Sequence, residues 1–167
     1  MALTASVNIT VQASLTGDPV GSGSNVTLSM PFSYSLPLAD GTAANQANRI
    51  YHKRLTLSTT PTDIDLAGSL VDALGNALVF VEVVAIAVKN NSTVAGQNVH
   101  VGGDAAALVG WVASPTDIVV IFPGGCQAIV NPNDPAYAVT GTTADILQLV
   151  AAAGTPTADV LVLGRSA

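Results

Sequence analysis

The chain holds one cysteine, Cys126, set directly after a glycine-rich turn in the stretch VVIFPGGCQAIVNPN, residues 119–133. A thiol nucleophile needs a base within hydrogen-bonding reach. The only histidines are His52 and His100, both inside strand-like patterns. Free cysteine is among the most buried residue types and packs as a small hydrophobe. Cys126 is therefore expected to be a buried structural residue. A phosphate-cradling loop would need a helix next, with its N–H groups aimed at the anion, and a lysine. Here CQAIVNPN alternates instead and carries no lysine. Pro123 and Gly124 occupy positions i+1 and i+2 of a type II turn, where glycine supplies φ > 0. Pro123, Gly124 and Gly125 are thus read as a structural turn closing a β-hairpin.

Other groups could hold a metal or move a proton. His100 lies in NVHVGGD, with Asp104 nearby. A metal site needs two or three more ligands at suitable spacing, and no HxH, HxxxH or CxxC is present. His100 is read as a surface or interface histidine. Asp63 and Asp65 in TDIDLAG lack the remaining oxygens of a calcium loop. Their expected role is to cap a helix. Glu82 interrupts VFVEVVAIAV, residues 79–88, and there shares a face with Phe80, Val84, Ile86 and Val88. An ionised carboxylate on that face is costly unless paired. Arg49, Lys53, Arg54, Lys89 or a neighbouring subunit is its expected partner. No cofactor is implied.

The totals narrow the classes. The chain has 167 residues, which suits one domain with a sizeable core. Only 10% of residues are charged, against about 25% in ordinary soluble domains. At about 7,600 Å² of expected surface, part of that surface is read as covered by other subunits. Net charge is −6 with five basic residues, so a basic nucleic-acid footprint is missing. No apolar run reaches the ~18 residues of a membrane helix. The opening MALTASVNIT has no basic region and apolar block of a signal peptide.

The elements that must position these residues are short β-type runs. Residues 6–12, SVNITVQ, alternate with period two. Residues 13–25 are rich in Gly, Ser and Pro and read as a flexible arm, so residues 1–25 form a strand plus arm. That strand is expected to pair either with its own sheet or with a neighbour's. Residues 26–167 read as a single sandwich domain. Strands are expected over 26–34, 49–58, 79–89, 97–101, 117–122, 126–131, 136–140, 145–150 and 159–163. One short helix is expected within 63–74, with Leu66, Leu70 and Leu74 on one face and Gly75 ending it. About ten strands at this spacing predict an all-β antiparallel sandwich, jelly-roll-like.

Residues 49–165 carry IDLAGSLVDALGNALVFVEVVAIAVKNNS, then VHVGG, DIVVIFPGGC, YAVTGTTADIL and VLVLGRS in that order. This series resembles virion structural proteins of tailed bacteriophages. The resemblance implies a β-sandwich without catalytic residues, assembled into the virion in the bacterial cytoplasm. It also implies contact with the major capsid protein or other virion proteins, and a homo-oligomer, a trimer foremost. A capsid decoration protein is the leading expectation. The alternative is a carbohydrate-binding tail-tip module, with Trp111 as an aromatic platform. Candidate interface residues are Arg49, His52, Lys53, Arg54, Glu82, His100 and Trp111.

Overall fold

The computed structural model describes residues 2–17, 23, 25–68 and 70–166. Within them the chain is all-β: thirteen strands in antiparallel sheets, with no helix. One sheet places β10 (Cys126–Val130), β7 (Glu82–Asn90), β13 (Thr157–Arg165) and β3 (Arg49–Thr56) side by side, with β11 (Tyr137–Ala138) also on β7. A second places β4 (Thr62–Asp65), β12 (Ile146–Ala151), β8 (Val99–Gly102) and β9 (Ile118–Ile121) in that order. Alternate residues of the two sheets meet in one core. Val160, Val162, Ile86 and Val88 face Leu147, Leu149, Val99 and Val101. This is the expected sandwich, built by the period-two patterns of both sheets.

The expected helix does not form. Residues 62–65 instead pair along β12, from Ile146↔Asp65 to Leu149↔Thr62. Leu66 is buried beneath the sandwich, and its backbone bonds Asp145 and Phe80. β5 (Leu70–Val71) and β6 (Ala77–Leu78) then make a small hairpin. Its loop is closed by Asp72, whose carboxylate accepts from the Leu74 and Asn76 amides. Leu74 points into solvent, 73% exposed, so the four-residue spacing of the leucines is not a helix face. A helix this short is marginal in water, and non-local pairing with β12 overrides it.

The strand expected over 79–89 begins only at Glu82. A register shift in the β7–β13 ladder at Leu163/Gly164 explains the change. Leu163 pairs Ala85 and Gly164 pairs Val83, so Val84 is an extra residue on β7. Val83 then joins the sandwich core, whereas Val84 and Ala85 lie on the opposite face. Gly164 has no room for a side chain: an added Cβ would sit 2.5 Å from the Phe80 ring.

The turn at 122–125 stands, but it is not a hairpin. The Gly125 amide donates to the Phe122 carbonyl at 2.8 Å, and Gly124 takes φ 73°. This is the type II geometry. Its flanking strands belong to different sheets, β9 with β8 and β10 with β7. The turn is a corner between layers. Asn90, fully buried at the end of β7, fixes it. The Asn90 amide nitrogens donate to Ile121 O, Gln97 O and Gly125 O.

β1 (Ala5–Gly17) and β2 (Val26–Leu38) form a separate two-stranded ribbon, paired over thirteen positions each. The expected loop over 13–25 is therefore strand as far as Gly17; residues 18–22 and 24 lie outside the described residues. The first strand joins neither sheet of the sandwich. The ribbon also accounts for surface: the chain exposes 8,887 Å², more than the ~7,600 Å² of a compact fold of this mass.

Gly124→Val tests the corner. An added Cβ at Gly124 meets open space, so only backbone strain opposes it. A loss of about 1–3 kcal/mol is expected in urea unfolding. A wild-type midpoint would remove the turn assignment.

Candidate functional site

Glu82 finds its partner in Arg165, not in the cations expected from sequence. The extra residue in β7 sets Glu82 opposite Arg165 in the β7–β13 ladder. It leaves the face of Ile86 and Val88 and turns to the outer side. Glu82 Oε2 accepts from Arg165 Nη1 at 2.7 Å, with the guanidinium 1% exposed and the carboxylate 18%. Arg165 also donates through Nε to Gln46 O at 3.0 Å, through Nη1 to Asn133 O at 2.8 Å, and through Nη2 to Pro132 O at 3.2 Å. This is a structural staple across three segments. It offers no open carboxylate to a substrate.

The outer face of the sheet β10–β7–β13–β3 carries the other candidates in rows set by register. Arg54, Asp159, Lys89 and Cys126 stand side by side, one per strand. His52, Leu161, Ala87 and Ala128 form the next row, and Ile50, Leu163, Ala85 and Val130 the one beyond. Cys126 is exposed, against the expectation of burial. Its position on β10 puts it on the solvent side, while Ile129 packs against the core. His52 shares this face but lies three strand spacings away, roughly 14 Å. No hydrogen bond can join the two, so the thiol gains no base from His52.

Arg54 closes a bidentate pair with Asp159, at 2.6 and 2.7 Å. The guanidinium holds the Asp159 carboxyl well below the usual carboxylate range. Lys53 and Arg49 alternate to the other face of β3. Arg49 Nη1 donates to the Asn48 carbonyl at 3.1 Å. The basic cluster expected over 49–54 is thus split between two faces.

The second sheet holds the rest. His100, on β8, is half-buried opposite Val120 and Val150. Asp63 is a strand residue and not a helix cap. Its Oδ1 accepts from Gln148 Nε2 at 2.9 Å, and Asp104 Oδ2 accepts from the same nitrogen at 3.2 Å. Asp65 does cap, but it caps a turn, accepting from the Ala67 amide at 3.1 Å. No group of three metal-ligating side chains occurs among the described residues. Trp111 is half-buried against the core, and its indole N–H donates to Leu108 O at 2.9 Å.

The feature that sequence reading missed is the full length of the β1–β2 ribbon. One of its faces carries Val11, Leu15, Leu28, Met30 and Phe32, all exposed. The signal was present: Val26, Leu28, Met30 and Phe32 alternate, as do Val7, Ile9, Val11, Ala13 and Leu15. The Ser, Thr and Gly content after residue 12 concealed it. Comparison of the chain with protein-family models, with curated proteins and with solved structures finds no match.

Two measurements follow. Glu82→Leu should cost about 3–5 kcal/mol in urea unfolding, because it leaves a buried guanidinium without its counter-ion. Adding Arg165→Met should recover part of that loss, a coupling that unpaired residues would not show. In Arg54→Ala, the Asp159 carboxyl should titrate nearer the ordinary range, read by carboxyl ¹³C NMR. The sign is that of a depressed acid: the pair's stabilisation is present above the unfolded pKa and disappears as pH falls through the folded one. An unchanged Asp159 titration in Arg54→Ala would assign the depression to another group.

Proposed function

We propose that this chain is a structural protein of a bacteriophage virion, acting as a capsid decoration subunit on the major capsid protein. The observation that carries the reading is the uncharged amphipathic ribbon on an otherwise closed sandwich. It adds to the resemblance of residues 49–165 to phage virion proteins. Surfaces depleted of charge and rich in apolar side chains are built for contact with protein. A decoration subunit strengthens a shell by burying surface across joints between capsid subunits. Each standard contact removes roughly 800 Å² per partner from water. Symmetry repeats that gain at every equivalent joint. The side-chain constellations favour this over catalysis. Cys126 and His52 are too far apart, Glu82 is consumed by Arg165, and Asp63 and Asp104 share one amide. The carbohydrate-binding alternative loses its platform, since Trp111 is engaged with the core.

Heads assembled without this chain provide the test. The purified protein should bind them saturably, at a copy number set by capsid symmetry, and raise the temperature at which they release DNA. Absence of binding, or labelling confined to tails in electron micrographs, would overturn the reading.

A further inference from the structure

β3 is an edge strand of the five-stranded sheet. β13 pairs along one side of it, and among the described residues no strand pairs along the other. Such an edge presents unpaired N–H and C=O groups to any extended chain that approaches. It is also where this acidic chain keeps its positive charge. The chain has five Lys and Arg against eleven Asp and Glu, and Arg49, Lys53 and Arg54 all lie on β3. Arg54 is held by Asp159, and Arg165 by Glu82. That leaves Arg49, Lys53 and Lys89 as the cations without a carboxylate partner among the described residues. Two of these three stand on one edge strand.

Arg49, Tyr51 and Lys53 project to the same side of β3, because side chains alternate along a strand. The two cations are four residues apart, roughly 13 Å. The β5–β6 hairpin lies beside this edge without closing on it. A space of about 240 Å³ separates residues 48–50 from Asp72 and residues 76–78. A second space, of about 280 Å³, separates residues 51–53 from residues 70–73. Asp72 lines both, so the two adjoin as one trough along β3. Ala2 and Leu3 bound its end at Arg49.

We infer that this trough takes an acidic extended segment of another protein, which adds to the β3 edge as a further strand. Backbone hydrogen bonds to the edge supply affinity for any extended chain, and the alternate side chains supply selection. A segment of about five residues spans positions 49 to 53. Residues laid opposite Arg49 and Lys53 project to the same side as the two cations, so Asp or Glu fits at both. The residue between them lies opposite Tyr51, where Leu70 forms the wall. Asp72 stands at the same level, and its charge disfavours a third carboxylate there. The pattern selected is acidic, any, apolar, any, acidic.

Positive charge on an edge is also a common defence against stray pairing. Here the defence is selective. A second copy would bring its own Arg49 and Lys53, so pairing of β3 with β3 sets like charge against like. An acidic strand reverses the sign of that interaction. Binding to heads and binding at this edge are separate properties: either experiment can fail without the other.

The probe is a fluorescent heptapeptide with glutamate at its second and sixth positions, valine at the fourth, and serine or threonine elsewhere. Titrated with the full chain at low salt and followed by anisotropy, it should bind saturably. Amide hydrogen exchange should slow along residues 49–53. The same peptide with lysine in place of both glutamates should bind roughly ten-fold more weakly, because it sets like charges together. The double variant Arg49→Gln with Lys53→Glu should invert that preference and take the lysine peptide over the glutamate one. Inversion also shows that the variant edge is folded; if the variant does not fold, the two peptides on wild type decide alone. Equal affinity for the two peptides, no binding of the glutamate peptide, or protection confined to strands other than β3 would overturn the inference.

Discussion

The Arg165 guanidinium organises one end of the molecule. Taking such a cation out of water costs several kcal/mol. Here the cost is offset by four hydrogen bonds, one of them to the Glu82 carboxylate. The three carbonyls come from Gln46, Pro132 and Asn133, in segments far apart in sequence. The Asn45 amide bonds Pro132 O at 2.9 Å, which holds the two loops together around the cation. Asn48 and Ser166 then close the strand end with two further bonds, at 2.9 and 3.0 Å. Lysine could not replace this group, because a point charge on a flexible stem lacks the planar fork.

That staple also aims the ribbon. β2 ends at Leu38, and the chain reaches β3 through residues 39–48. Ala39 bridges Gln46, and Gln46 is held by Arg165 through its carbonyl. The root therefore has a fixed direction relative to the five-stranded sheet. The extra residue in β7 serves the same end twice. It sets Glu82 opposite Arg165, and it turns Val84 and Ala85 together toward the ribbon root. One irregularity in one ladder thus creates both the ion pair and the second apolar cluster.

The sandwich was legible because its strands alternate and because turn residues mark their ends. The Pro123-Gly124 turn was legible down to its φ > 0 position, since only the local backbone decides it. Which strands it joins was not legible. That depends on Asn90, which lies more than thirty residues upstream and draws Ile121 and Gly125 to itself. The helix expected over 63–74 failed for the same kind of reason: local spacing of Leu66, Leu70 and Leu74 competed with pairing to β12. Cys126 was misplaced because residue type suggests burial, whereas strand register assigns the face. Register likewise split Arg49 and Lys53 from His52 and Arg54. The partner of Glu82 was missed because Arg165 lay past the apparent end of a strand, and the bulge that brings the two together leaves no local signature in the sequence.

The sparse charge of the chain acquires a location in the structure. Two strands of thirteen residues carry none of the sixteen charged side chains. The charged side chains lie on the remainder of the chain, among them Arg54, Asp159, Lys89 and the loop carboxylates. A charged lysine on an exposed ribbon edge commonly keeps other chains from pairing with its free backbone groups. Here prolines at positions 31 and 37 on β2 remove two donors, and no charge does the same work. A ribbon left uncharged on one face and lined by hydroxyl groups on the other suits coverage on a single side. The hydroxyl face can remain in water while the apolar face is covered. That asymmetry favours a partner that offers a flat apolar floor over one that would wrap the ribbon.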